Sequence, residues 1–239
     1  MMNNIAVIGS SGTIGGAFIR KLSELYPEAQ ISGFSRNKPS SAIANAKFYE
    51  IDYTNEESIA NSAEIAAENA PLDLVIVATG ILHNDAFMPE KSMKELSIAK
   101  FQEIILANTI FPALVAKHFL PKLAKDRRAV FAALSARVGS ISDNQLGGWY
   151  SYRASKAALN MIIKNLSIEM KMRYKQGIIV GLHPGTVDSQ LSKPFQANVP
   201  AGKLFTPDYA VAKMLEVINT LTPENSGKCY AWDGEEILA

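Results

Sequence analysis

The stretch IAVIGSSGTIGG, residues 5–16, decides how the rest of the chain is read. IAVI is a short apolar and β-branched run, and from Ile14 to Leu25 the apolar positions repeat at helical spacing. Between the two lie Gly9, Gly12 and Gly15. Close glycines let a backbone turn sharply and present its N–H groups, and the positive end of the following helix favours an anion there. Strand, glycine loop and helix in that order are the opening of a sheet that cradles a pyrophosphate. Gly9, Ser11, Gly12, Thr13, Ile14 and Gly15 are the candidate contacts.

Outward from this loop, short apolar runs alternate with longer amphipathic stretches. The runs are 5–9, 31–34, 47–51, 73–78, 129–134, 177–182 and 228–232; helical periodicity covers 14–25, 55–69, 98–123, 150–173 and 207–221. The expected fold is α/β: a Rossmann-type doubly wound parallel β-sheet of about seven strands with helices on both faces. Residues 1–239 are expected to form a single dinucleotide-binding domain. Thr54 with Glu57 has capping-box spacing, and Thr206 before Pro207 predicts a helix start. Residues 184–205 carry three prolines and two glycines without clear periodicity, which predicts a substrate loop or lid.

Composition narrows the partners. The 24 basic residues nearly cancel 23 acidic ones, so there is no basic field for nucleic acid, and a small-molecule partner is expected. One cysteine excludes an intrachain disulfide, and the three histidines are too far apart in sequence for a local metal motif. MMNNIAVIGSSG lacks a basic leader, and no stretch approaches the roughly 18 apolar residues of a membrane span. The expectation is a cytoplasmic protein without membrane association.

The second apolar run ends in FSRN. A NAD site would usually place an acidic residue there to hold the ribose hydroxyls. Ser35 brings no charge, and Arg36 can pair with a 2′-phosphate. The pattern favours NADP(H) and leaves NAD(H) open.

YRASK, residues 152–156, places Tyr152 and Lys156 on one helical face. YAVAK at 209–213 has the same spacing, so spacing alone cannot choose. Context does: AVFAALS at 129–135 ends in serine, LANTIFPA contains Asn108 within a helical pattern, and both precede YRASK. Together with the glycine loop these residues resemble the short-chain dehydrogenase/reductase family over essentially the whole chain. DLVIVATG at 73–80 looks like its fourth strand and following loop, with Ala78, Thr79 and Gly80 beside the cofactor. HPGTVDS at 183–189 resembles its Pro-Gly segment, with Pro184, Gly185, Val187 and Ser189 beside the nicotinamide. GGWYSYRASKAALN is similar to the C-factor-like branch, related to small carbonyl reductases.

The resemblance implies an NADP-dependent oxidoreductase acting on a small hydrophobic aldehyde or ketone, assembled as a homodimer or homotetramer through the helices at 98–123 and 150–173. Tyr152 would be the general acid/base. Free tyrosine titrates near pH 10, and a neighbouring ammonium would lower that value. By resemblance, Lys156 would also hold the nicotinamide ribose, Asn108 would position a water, and Asp52 would bond the adenine amino group unless it is a turn residue. Ser135 is the candidate for polarising the substrate, although the family's serine position falls on Ala136; Ser140, or no serine at all, are the other readings. The spacing of Gly9, Gly12 and Gly15, and VATG in place of Asn-Asn-Ala-Gly, also depart from the family's pattern. Leu146, Trp149, Tyr150, Phe195 and Phe205 would line the substrate pocket. A dinucleotide-binding regulatory protein in which catalysis is secondary is the alternative, and a nucleotide-sugar isomerase or dehydratase a weaker one.

Overall fold

A computed structural model describes residues 2–38 and 42–239. Its elements in chain order are β1 (Asn4–Ile8), α1 (Thr13–Leu25), β2 (Gln30–Ser35), β3 (Ala46–Glu50), α2 (Glu56–Ala67), β4 (Leu74–Val77), α3 (Ile98–Ile105), α4 (Phe111–Phe119), β5 (Ala129–Leu134), α5 (Tyr150–Met170), β6 (Gly177–His183), β7 (Thr186–Val187), β8 (Leu204–Phe205), α6 (Pro207–Thr220), β9 (Cys229–Ala231) and β10 (Glu236–Ile237).

Eight strands form one sheet in the order β3-β2-β1-β4-β5-β6-β9-β10, parallel except for the β9–β10 pair. The expectation of about seven strands misses β10, whose two residues are too short to show a period. Segment 184–205 is also more regular than its sequence suggests. It holds a short parallel pairing of β7 with β8 and a 3₁₀ turn at Lys193–Asn198.

β1, β4 and β5 are buried along their whole length, as strands covered on both faces must be. Alternation divides them between two apolar layers. Ala6, Ile8, Val75 and Phe131 face α2, α4 and α5, with Phe34, Phe111 and Phe119 filling that layer. Ile5, Val7, Ile76 and Val130 face α1 and α6, where Phe18, Leu22, Met214 and Ile218 pack. Truncating a fully buried ring such as Phe18 or Phe131 to alanine would cost about 3–5 kcal/mol.

Two local expectations need correction. Helix α2 is capped by Asn55, which accepts the Glu57 N–H at 2.9 Å; Thr54 instead donates its hydroxyl to Asp52 at 2.7 Å. A short Asx side chain one residue closer to the helix reaches the free N–H first. Residues Ile98–Lys122 form one continuous 25-residue helix, long and apolar enough by length and composition to cross a membrane. Here it packs against α2 and α5. A π-helical turn at Leu106–Ile110 divides it and carries Asn108, which is fully buried.

Candidate functional site

The chain reverses direction across the sheet between β1 and β4, and such switch points open a crevice at the carboxyl ends of the strands. A cleft of ≈ 650 Å³ lies there. Its walls come from the start of α1 (Gly12, Thr13, Ile14), the loop after β4 (Ala78, Thr79, Gly80), the end of β5, the start of α5 (Tyr152, Lys156) and the segment after β6 (Pro184, Gly185, Val187, Ser189).

The glycine loop is held tightly. Gly9 has φ +89, and its N–H and that of Ser10 both donate to Phe34 O, at 2.7 and 3.1 Å. A Cβ on Gly15 would come within 2.1 Å of the Gly9 carbonyl oxygen, so only glycine lets the helix begin this close to the turn. The turn leaves Gly12 at the N-terminus of α1 with no side-chain cap, its first-turn N–H groups directed to the cleft end of the helix. Ser10 Oγ reaches Ser35 Oγ at 3.3 Å, joining the loop to the end of β2. Arg36 follows on the surface, its guanidinium 5.8 Å from the Tyr53 ring centre. Tyr53 was not singled out in the sequence; aromatic residues near a turn carry no local signal for such stacking. Ser11 is exposed, and Asp52 accepts two hydrogen bonds from Thr54, which hold its carboxyl below the usual range.

These residues fit the dinucleotide that the sequence implies. Within the described residues, Thr79 Oγ1 and His183 Nδ1 are buried at the cleft without a hydrogen-bond partner, polar atoms suited to a polar ligand. The glycine turn offers the close backbone approach that a pyrophosphate needs, and Ser35 with Arg36 stands where a ribose and its substituent would be met.

Tyr152 and Lys156 are both buried and share the cleft. Lys156 Nζ lies 5.8 Å from the Tyr152 ring centre and donates to Leu134 O at 2.8 Å. None of the described residues accepts a hydrogen bond from the Tyr152 hydroxyl. The expected lowering of its pKa by the ammonium is not found: burial pushes Tyr152 up to about 12 and Lys156 down to about 8, with Cys229 opposing the latter. Desolvation alone accounts for the Tyr152 shift, and the ammonium does not offset it.

Asn108 is committed to the scaffold. Its Oδ1 accepts the Ile81 N–H at 2.8 Å, and its Nδ2 donates to Ile81 O at 2.8 Å and Ser155 Oγ at 3.0 Å. It thus ties the loop after β4 to α5, one residue before Lys156. A Cβ built on Gly80 would lie 3.2 Å from Asn108 Oδ1 and 3.4 Å from Lys156 Nζ, so the three meet closely.

Ser135 lines the cleft, but its hydroxyl donates to Asn160 Oδ1 at 2.6 Å. Ala136 is the residue packed with Leu82 against Tyr152. Ser140 Oγ accepts the Asp143 N–H at 3.1 Å and is outside the cleft lining. Of the expected pocket residues, Leu146, Trp149 and Phe195 line the cleft, whereas Tyr150 and Phe205 do not. Phe205 packs instead with Tyr209 and Trp232, and Lys213 pairs with Glu216 at 2.7 Å, so the second Tyr/Lys pair belongs to surface packing.

Comparison with known proteins identifies the family. The family model for short chain dehydrogenases matches residues 3–200. A curated relative, 1-hydroxy-2-glutathionyl-2-methyl-3-butene dehydrogenase of Rhodococcus sp. (strain AD45), is 29% identical over 235 residues, covering 98% of each chain. The C-signal of Myxococcus xanthus is 34% identical over 146 residues, covering 61% of this chain and 82% of its own. Among solved structures, NADPH-bound carbonyl reductase from chicken fatty liver superposes with TM-score 0.85 at 25% identity, covering 100% of this chain and 99% of its own. The chain therefore belongs to the short-chain dehydrogenase family and is an NAD(P)-dependent oxidoreductase on a Rossmann-type sheet.

Proposed function

We propose that this protein is an NADP(H)-dependent carbonyl reductase, reversible as an alcohol dehydrogenase, for a small hydrophobic aldehyde or ketone. One observation carries the reading: Tyr152 and Lys156 open on the same ≈ 650 Å³ cleft as the start of α1 and the Pro184–Gly185 segment. The likeness to an NADPH-bound carbonyl reductase supports it, and Arg36 supports the phosphorylated cofactor.

A nicotinamide bound here supplies the hydride. The protein supplies the rest. Tyr152, kept protonated by burial, gives its proton to the carbonyl oxygen as charge develops there. Lys156, fixed by Leu134 O, then stabilises the phenolate left behind. Trp149, Phe195 and Leu146 favour an apolar substituent and exclude water. Ser135 is turned to Asn160, so the site works without a serine on the Tyr152 side.

The test is NADPH oxidation against a panel of aromatic and aliphatic aldehydes and diketones, with Tyr152→Phe alongside. Turnover that disappears in the variant supports the reductase. NADPH binding without turnover on that panel supports instead a dinucleotide-binding regulator, the reading favoured by the likeness to C-signal and by Ala136. We also propose that the chain forms a homodimer or homotetramer through the helices at 98–123 and 150–173, on which Ile110, Met161 and Ile168 are exposed. Light scattering in solution checks it.

A further inference from the structure

We propose that Glu90 is a positioning residue: a buried carboxylate from the loop after β4 that caps helix α5 and thereby fixes Tyr152 and the Trp149 wall of the cleft.

Helix α5 begins at Tyr150, and its cap position, Trp149, has no side-chain acceptor to offer. The first-turn N–H groups of a helix need acceptors, ordinarily a Ser, Thr, Asp or Asn at that position. Glu90, some 60 residues earlier in sequence, supplies them. Its Oε1 accepts the Ser151 hydroxyl at 2.6 Å, its Oε2 accepts the Ser151 N–H at 3.3 Å, and its backbone oxygen accepts the Trp149 N–H at 2.5 Å. Ser151 is the second residue of the helix, where a cap acceptor normally binds, and Tyr152 is the third.

The arrangement is over-determined. Glu90 is 0% exposed, and a carboxylate is buried at such cost only if compensated. The positive end of α5 does so, helped by Lys100 Nζ at 4.0 Å, which Met88 O holds at 3.0 Å. Gly147, Gly148 and Trp149 all have positive φ, of 64, 63 and 50. For a bulky residue that conformation is strained, and it persists where surrounding contacts impose it. Here it carries the Trp149 N–H to Glu90, while a Cβ on Gly148 would lie 3.3 Å from Glu90 O. Trp149 in turn stands edge-on to Tyr152, ring centres 6.2 Å apart, and packs on Phe195 at 5.0 Å. The proton donor and the pocket wall are thus set by one distant carboxylate.

The kinetic part of the test rests on Tyr152 as the proton donor; the spectroscopic part does not. Glu90→Ala, Glu90→Gln and Ser151→Ala are compared for kcat and KM with an aromatic diketone, for NADPH affinity and for melting temperature. The same changes in a Trp232→Phe background report Trp149 emission alone, since the chain has two tryptophans. Glu90→Ala should lower kcat roughly ten- to hundredfold with NADPH affinity unchanged, because a small misplacement of the donor is costly. Trp149 emission should move to longer wavelength, with easier quenching by acrylamide. Glu90→Gln keeps an acceptor for the Ser151 hydroxyl and should restore most of both signals. Wild-type kcat and Trp149 emission in Glu90→Ala would overturn the proposal. So would a kcat loss that tracks NADPH affinity and melting temperature in every variant, with no rescue by glutamine. If Tyr152→Phe retained turnover, the proton-donor reading would fall, and Trp149 emission in Glu90→Ala would still decide the cap, shifted in its favour or unchanged against it.

Discussion

Lys156 Nζ donates to the carbonyl oxygen of Leu134 at 2.8 Å, so the last residue of β5 anchors the cation that lies beside Tyr152. The bond fixes the position of the ammonium but does not restore its ordinary basicity; burial lowers Lys156 to about 8. As pH rises through that value the cation is lost, while Tyr152, at about 12, stays protonated. Carbonyl reduction should therefore fall as pH rises above about 8, along a single-proton limb, in the kcat/KM profile that reports the free enzyme. Lys156→Ala should be slow at every pH and lack the limb. A wild-type profile flat to about pH 10 would show that the ammonium does not support proton transfer.

Most of the fold was legible because its strands are apolar runs and its helices keep their period, IAVIGSSGTIGG above all. What escaped had no period to show: β7, β8 and β10 are two residues each. At the site, residue types were readable and directions were not. Ser135 and Ala136 are adjacent, and only their placement after β5 shows which one meets Tyr152. Asn108 stood out in the sequence, but not the π turn that carries it or its ties to Ile81 and Ser155. Glu90 left no trace, since a buried acid in an aperiodic loop looks like any solvated charge until the helix it caps is in view.

Arg36 should discriminate between cofactors. Its guanidinium rests beside Tyr53 and makes no salt bridge among the described residues, so it can meet a 2′-phosphate. A charge-assisted hydrogen bond contributes about 1.5–3 kcal/mol, and the exposure of Arg36 argues for the lower end once salt screens it. Arg36→Ala should weaken NADPH binding by about tenfold in a calorimetric titration and leave NADH little changed. Equal losses for the two cofactors would show that Arg36 does not read the phosphate.

His183 should make the protein acid-sensitive. Burial lowers its pKa to about 4, the Arg137 cation acting the same way and Asp233 opposing it. The unfolded chain then binds a proton between about pH 6.5 and 4 that the folded chain refuses, so stability rises with pH across this window. On acidification His183 should cost up to about 3 kcal/mol. His183→Gln should flatten the denaturation midpoint between pH 6.5 and 4 relative to the parent. An unchanged pH dependence in the variant would assign the acid sensitivity to other groups.

The two residues after β5 make the sharpest contrast. Ser135 Oγ is engaged with Asn160 at 2.6 Å, and Ala136 packs against Tyr152. Ser135→Ala removes a buried donor and leaves Asn160 Oδ1 unpaired, which costs about 1–3 kcal/mol of stability. It should lower the melting temperature while leaving kcat near wild type. Ala136→Ser places a hydroxyl beside the phenol, where a second donor can meet the oxygen on which charge develops. Donors of this kind contribute roughly a hundred- to a thousandfold when preorganised, and an added one is less well aimed, so a gain in kcat of about tenfold is expected. Steady-state kinetics of the two variants separates the roles. Loss of turnover in Ser135→Ala at intact melting temperature would mean that the Ser135 hydroxyl leaves Asn160 during the reaction, and the serine-free site would have to be abandoned.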